Sequence, residues 1–520
     1  MVNNLAWRKF SDNLFLFGCF TLSASIPVSK FTTSVSIFLI ALAWFMQFNW
    51  KEKQKLFLSN KRLFFIVTLS YYVFLFGLFY SSDIDYALKD LKIKIPFFAL
   101  PVLFVSGFQL NKKHVLIALS LLSTSAVVAS VIGFISYHLK IRNSDEIIKL
   151  RELSPFISHI RLTLILCFGV GLSIWGFTQL KSKFKYLLVL PVLWTIYFVF
   201  LIGNLTGAII LPLVIVLFLA YHIHLYSKKT AIIGLLVSFV FIAFVGFRIL
   251  KIYQLVFVLK PALEHKEVTK YGNKYTHDLS KKDTENGLLT WSYVCEKELE
   301  DAWNLKSEKK YQTTLNGYPL KDVLIRYLTS KGQYKDYESV NNLSEKDIKA
   351  IEKGIANVYY TEHNALLSRF HITFWEFKNK LTKGYVNGSS IAMRLEYWKL
   401  GWRIFVESPL LGVGTGDIKK EYQEAYQTSN STLKLKYQRR SHNQYLSILI
   451  SLGVIGLILF LISILYPVFK YNGEFKLLYI TSILIFLTSM LWEDTIESQA
   501  GATTFSLLTC LFVFAKKENE

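Results

Sequence analysis

Arg439, Arg440 and His442 stand directly against an apolar run, "NQYLSILISLGVIGLILFL" (443–461), that is long enough to cross a bilayer. Charged groups beside hydrocarbon are costly unless they snorkel, pair or bind a ligand, so the cluster means either anchoring or a reactive site. Planar guanidinium groups grip phosphate oxygens through paired, charge-assisted hydrogen bonds. An imidazole with an ordinary pKa of about 6.5 can act as a base at neutral pH.

A third arginine lies upstream in "IAMRLEYWKLGWRIFVESP". Ile391, Leu395, Trp398, Trp402 and Phe405 recur at helical spacing and predict one apolar stripe, with Arg394 beside it. Glu396, Lys399 and Arg403 fall on the opposite flank, and Pro409 stops the helix. Two tryptophans on the apolar face suit the headgroup layer, so a helix over 391–408 is expected along the membrane surface or capping a bundle. In the following "PLLGVGTGD" (409–417), Gly412, Gly414 and Gly416 allow tight turns whose N–H groups could face an anion, or simply turn the chain. The stretch lacks the Lys-Ser/Thr ending of a P-loop. Along the apolar run, Leu446, Leu449, Gly453 and Gly456 fall within about 40° of the direction of His442. That small-residue face fits either close helix packing or a groove for a polyprenyl chain.

Other candidates sit at other predicted membrane boundaries. Arg161, beside His159 in "SPFISHIRLTLIL", reads as a ligand for the same anion or as an interfacial anchor. Glu493, Asp494 and Glu497 in "LWEDTIESQAG" could pair with the arginines, hold a second substrate or form a solvated loop. Asp83 and Asp85 have the spacing of a metal-binding pair, but Ser82 or Asp83 more simply caps a short surface helix. His159, His265, His277, His363 and His371 lack metal-ligand spacing, and no metal site is expected.

The elements that must position these residues follow from composition. At 52% hydrophobic and 16% aromatic residues, with the apolar ones in long blocks, the chain reads as a polytopic membrane protein. About twelve windows are expected to span, near 14–29, 31–50, 63–80, 95–108 (broken by Pro96 and Pro101), 115–137, 160–180, 185–202, 206–225, 230–250, 443–467, 475–492 and 500–515. The basic short loops, among them "KEKQKLFLSNKR" (51–62), "NKKH" (111–114), "KSKFK" (181–185) and "KYNGEFK" (470–476), all fall on one side, which the positive-inside rule makes cytoplasmic. Both termini are then cytoplasmic, the first apolar stretch serves as an uncleaved signal, and His442 faces outward. The net charge of +22 divides between this topogenic set and one large outer loop, so nucleic acid is not the expected partner. Cys19, Cys167 and Cys510 fall inside spans and Cys295 is alone outside, which argues against an intrachain disulfide. The expected organisation is all-α, with an N-terminal bundle of about nine spans (1–250), an extracytoplasmic helical loop domain (251–440) containing the 391–408 helix, and C-terminal spans (441–520). "KDVLIRYLTS" (321–330) reads as a helix, and Ser344 with Asp347 as a capping box opening another.

These residues together resemble a known family. His442-Asn443, ten positions on Gly453, then Gly456, preceded by an "R-x-x-x-W" helix and "P-L-L-G-V-G-T-G", is similar to the O-antigen ligase and O-antigen polymerase superfamily, in its Bacteroidetes form. "TENGLLTWSYVCEKELEDAW" (284–303), "LIRYLTSKGQYKDYESVNNLSEKDIKAIEKGIAN" (324–357) and "YWKLGWRIFVESPLLGVGTGD" (397–417) carry that resemblance, and the ligase-related region is expected over about 190–465. The resemblance implies a glycosyltransferase-C-like membrane fold and a metal-independent, inverting transfer at the outer face of the bacterial inner membrane. It implies no cofactor. The donor would be an undecaprenyl-diphosphate-linked glycan. The acceptor would be the lipid A core for a ligase, another repeat unit for a polymerase, or a protein.

By position, the resemblance assigns catalysis to His442 and Arg394. Many relatives carry a second arginine where this chain reads "GNLTGAII" with Leu205, which leaves Arg161 as the substitute. Asn443, Arg439, Arg440, Gly412, Gly414, Gly416, Gly453, Gly456, Glu493 and Glu497 are the expected substrate contacts. A transporter of lipid-linked sugars would also need a basic cavity, but no inverted repeat is evident and the one-sided loop suits surface chemistry. A reporter fused near residue 330 should therefore be active only if it functions outside the cytoplasm, and activity restricted to the cytoplasm would reverse the whole topology.

Overall fold

Where no water is available, a backbone must satisfy its own N–H and C=O groups, and each apolar window folds as α-helix. The computed structural model describes residues 2–143, 150–225, 228–315 and 317–516. It divides into two units, Met1–Leu235 with Val386–Glu520, and Leu236–Tyr385. The helices are α1 (Val2–Ser25), α2 (Lys30–Met46), α3 (Trp50–Leu78), α4 (Ile84–Lys94), α5 (Pro96–Ser106), α6 (Lys112–Asn143), α7 (His159–Gln179), α8 (Val189–Ile202), α9 (Leu205–Leu225) and α10 (Lys228–Phe257). The chain continues through α11 (Glu296–Lys306), α12 (Leu320–Ser330), α13 (Tyr337–Asn341), α14 (Glu345–Glu352), α15 (Tyr359–Glu362) and α16 (Ala365–Lys383). It closes with α17 (Ser390–Glu407), α18 (Ile418–Thr428), α19 (Gln444–Lys470), α20 (Lys476–Ser489) and α21 (Gln499–Val513).

Among the described residues, α3, α6, α7, α19 and the segment Lys183–Ile202 ending in α8 are long and apolar enough to cross a membrane. Shorter apolar helices lie at α2, α9, α20 and α21. The charged stretch 51–62, expected as a loop, is instead the first turns of α3, because its Lys, Glu, Gln and Leu residues are good helix formers. All four cysteines are free and buried.

The second unit is mostly helical, but not wholly so. Thr284–Glu285 pairs with Leu288–Leu289 as an antiparallel ladder, and Thr314–Leu315 pairs with Tyr318–Pro319. Asn286 and Gly287 both take positive φ (49° and 87°), the geometry that a two-residue hairpin needs and that Asn-Gly supplies cheaply. Local signals elsewhere in this unit hold. Ser344 and Asp347 form the reciprocal capping box of α14, and α12 ends at Lys331 before Gly332 at φ 73°.

The first unit contains α17, and here the expected apolar stripe is rotated. The buried face runs through Ala392, Tyr397, Leu400, Gly401, Ile404 and Phe405, whereas Trp402 is 57% exposed. The reason is Gly401. A Cβ there would lie 2.2 Å from the Tyr422 hydroxyl and 3.0 Å from Leu446, so the small residue marks the line where α18 and α19 close on α17.

The joint between α17 and α19 is made of backbone. At Gly453 (φ 65°, ψ −170°) the helix ladder of α19 is broken, about 14 Å along its axis. An unbroken helix would pair the Val454 and Ile455 N–H groups with the carbonyls of Ile450 and Ser451. Instead, Val454 N–H donates to Pro409 O at 2.9 Å and Ile455 N–H to Leu410 O at 3.3 Å. The freed carbonyls of Ile450 and Ser451 accept from the N–H groups of Val413 and Gly414, each at 2.9 Å. The 409–414 segment is thus inserted into the helix, and all four groups are satisfied without water. Gly412 (φ 70°) and Gly453 make the approach possible, because a Cβ on either would strike backbone atoms of the other segment within 2.6 Å. Replacing Gly453 by Ala should therefore destabilise the protein by about 2 kcal/mol or more, through both the left-handed φ and the collision with Leu410 O, and lower the melting temperature of purified protein. A wild-type melting temperature would show that the break is not structurally required.

Candidate active site

The strap Tyr437–Asn443 carries the opening cluster and is pinned from several helices. Tyr397 on α17 donates its hydroxyl to Tyr437 O at 2.5 Å, and Trp398 Nε1 donates to Ser441 O at 2.9 Å. Tyr426 on α18 donates to Arg439 O at 2.7 Å, and the Gln444 N–H bonds the Met490 carbonyl that ends α20. His442 itself takes φ 48°, uncommon for a residue with a Cβ. The turn is held because Ser441 Oγ accepts the Asn443 N–H at 3.2 Å while lying 2.7 Å from Ser447 Oγ. Asn443 caps α19, its side chain accepting from Leu446 N–H at 3.0 Å, so its carbonyl oxygen is committed to the helix start.

Opposite the strap runs the acidic loop between α20 and α21. Arg394 Nη2 lies 2.7 Å from Glu493 Oε1. Arg161, two residues into α7, donates from Nη2 to the Asp494 carbonyl at 3.0 Å. Asp494 Oδ1 accepts from Ser447 on α19 at 2.8 Å. Arg440 Nη2 is 3.5 Å from Glu497 Oε2, and Gln444 Nε2 donates to Glu497 Oε1 at 3.1 Å. Glu497 also faces Lys94, at 3.0 Å. The structure therefore brings Arg161, Arg394, Arg440, His442, Glu493 and Glu497 to one end of the first unit. Arg439 is exposed beside them.

The glycines lie apart from this group. The N–H groups of Gly412, Gly414 and Gly416 donate to Ser408 O, Ser451 O and Ser81 Oγ, so each is already spent within the protein. The face of α19 at Gly453 and Gly456 is filled by the 409–411 backbone and by Leu452 and Val73, as a packing contact. Asp83 caps α4 by accepting from Tyr86 N–H at 2.9 Å. Asp417 accepts from the N–H groups of Ser82 and Asp83 and ties the glycine segment to the same helix start.

Residues 350–461 match the family model described as O-antigen ligase. That stretch of the chain is similar to the O-antigen ligase family. With five helices long and apolar enough to cross a membrane among the described residues, the chain has the pattern of a multi-pass membrane protein. The matched stretch is narrower than the 190–465 expected; it holds Arg394, Arg439, Arg440, His442, the glycine segment and the break at Gly453, while Arg161 and the acidic loop lie outside it. None of the curated proteins matches the chain.

The surroundings of His442 disfavour its protonated form. Burial pushes the His442 pKa down, and Arg394, Arg439 and Arg440 add to that, against the opposing pull of Asp494. Burial raises Glu493 despite Arg394 and Arg161 nearby. Burial also opposes the Glu497 charge, but Lys94 and Arg440 outweigh it and hold that carboxyl below its usual range. Sequence reasoning missed Lys94 and Asp90; the available signal was an acid–base pair at i, i+4 immediately before Pro96.

The histidine's proton equilibrium is testable directly. With its pKa lowered, His442 takes up its proton at a lower pH than an ordinary imidazole, whose value is about 6.5. Following carbethoxylation of the His442 peptide against pH should give a midpoint below that value. Arg394→Ala should move the midpoint up and Asp494→Asn should move it down; unmoved midpoints would remove the electrostatic coupling.

Proposed function

We propose that the protein transfers a glycan from undecaprenyl diphosphate to an acceptor hydroxyl at the outer face of the inner membrane, with the lipid A core as acceptor. The observation that carries this reading is the pair of guanidinium groups of Arg161 and Arg394. Each keeps a buried Nε–H with no partner among the described residues, and both stand within electrostatic reach of Glu493, at the end of the unit that holds His442. Buried donors are normally satisfied, so two unspent arginine donors beside a neutral imidazole suit an oxyanion ligand. The family match adds the enzyme class.

In this reading Arg394, Arg161 and Arg440 grip the diphosphate. His442 takes the proton of the acceptor hydroxyl as its oxygen bonds the anomeric carbon of the glycan. The bond from that carbon to the phosphate oxygen breaks at the same centre, with inversion, and the pair of electrons leaves with undecaprenyl diphosphate. Because diphosphate is a good leaving group, the site has to stabilise departing charge and supply a base, and it needs no nucleotide. Glu493 holds Arg394 in place until the diphosphate replaces it. The basic short loops, by the positive-inside rule, support a cytoplasmic location for the opposite end of the helices.

Purified protein supplied with undecaprenyl-diphosphate glycan and acceptor provides the test. His442→Ala and Arg394→Ala should each reduce transfer by a factor on the order of 10² or more while the protein remains folded. Arg394→Lys should recover little, because an ammonium cannot reproduce the paired guanidinium grip. Full transfer by either alanine variant would reduce the cluster to an anchor. In a deletion strain, loss of all polymer from lipid A marks a ligase, whereas single capped units mark a polymerase.

A further inference from the structure

Lys94, the last residue of α4, is wholly buried. Its ammonium lies 2.6 and 2.7 Å from the two oxygens of Asp90, one turn earlier, and 3.0 Å from Glu497 Oε1. The ring of Phe74 on α3 lies beneath it at 4.4 Å. The ammonium carries three N–H donors, and the two oxygens of Asp90 take two of them. The third contact reaches the acidic loop, and from there the chain of charge continues: Glu497 receives Arg440 on its other oxygen and Gln444 on the same one. Gln444 in turn accepts the Ile496 N–H, which locks the loop to the first turn of α19. The four charged groups Asp90, Lys94, Glu497 and Arg440 sum to zero, so neither acid demands the full charge of the arginine. Tyr86, Asp494, Arg161 and His442 are the other charged or titratable groups facing them.

We propose that Lys94, fixed by Asp90, is a positioning residue that holds Glu497 and thereby sets Arg440 for the donor diphosphate. This rests on the donor-binding role proposed for Arg440. Without the ammonium, Asp90 and Glu497 are left with Arg440 against them, an excess of one negative charge, and Glu497 draws that guanidinium inward, away from the donor. The loss is in binding rather than in the chemical step.

Transfer kinetics of the purified full-length chain, with undecaprenyl-diphosphate glycan as the varied substrate, separate the possibilities. Lys94→Met should raise the donor KM by about tenfold, the worth of one charged hydrogen bond, with kcat little changed. Adding Asp90→Asn, which leaves Glu497 and Arg440 as a balanced pair, should return KM towards wild type. Should Lys94→Met fail to fold, Glu497→Gln keeps the Lys94–Asp90 pair, cuts the link to Arg440 and should raise the donor KM in the same way. A fall in kcat and folded yield at constant KM would make Lys94 purely structural and overturn the proposal, as would an unchanged KM in Glu497→Gln. If wild-type protein transfers normally and only these shifts are missing, the positioning role alone falls. If wild-type protein neither binds nor transfers the donor, the proposed function falls and takes this inference with it.

Discussion

The first unit depends on four backbone hydrogen bonds that α19 cannot make with itself. Breaking a membrane helix frees two N–H groups and two carbonyls, and in an apolar medium each unsatisfied group costs several kcal/mol. The 409–414 segment removes that cost by supplying two carbonyls and two N–H groups in register with the gap. This repair has a geometric consequence. Pro409 begins where α17 has ended, so the segment that mends α19 also fixes α17, and with it Arg394, relative to His442. Thr415 and Asp417 extend the same joint to α3 and to the start of α4. One irregular segment thus connects the elements that carry the arginine, the histidine and the buried lysine.

A second constraint is that cations gathered at a membrane boundary need counter-charges. Three arginines and a lysine meet a loop of three acids, and the pairing is divided among them. Glu493 serves Arg394, Glu497 serves Arg440 and Lys94, and the Asp494 backbone serves Arg161. Removing one partner from a buried pair of this kind costs about 3–5 kcal/mol, far more than intact pairs contribute to stability. The acidic loop therefore acts mainly as a template that specifies where cations stand. In the proposed reading its anionic groups also compete with an entering anion for the guanidinium groups, which favours a ligand of higher charge.

Burial disfavours an imidazolium at His442, and the neighbouring arginines add to that. In the proposed reading the same arginines take the phosphate oxygens, so a base and an anion-binding site coexist without separate tuning. The left-handed backbone at His442 belongs to the same economy of space, because it turns the strap abruptly into a capped helix.

Local chemistry was legible in the sequence by itself. The apolar windows became helices because length and hydropathy leave the backbone no alternative, and Ser344 and Asp83 act within their own turns. The residue types of the site, Arg394, Arg440 and His442, stood out because charge beside hydrocarbon is informative wherever the chain folds. Tertiary structure decided what depends on partners distant in the chain. Gly412 and Gly453 look alike as turn or packing residues until the two segments meet, and then each is seen to admit the other's backbone. The buried face of α17 was set by Tyr422 and Leu446 closing on Gly401, contacts that outweighed the tryptophan periodicity. Lys94 could be read only as one more lysine of a surface helix, because the carboxylate that gives it a further role lies on a loop joined to it by folding alone.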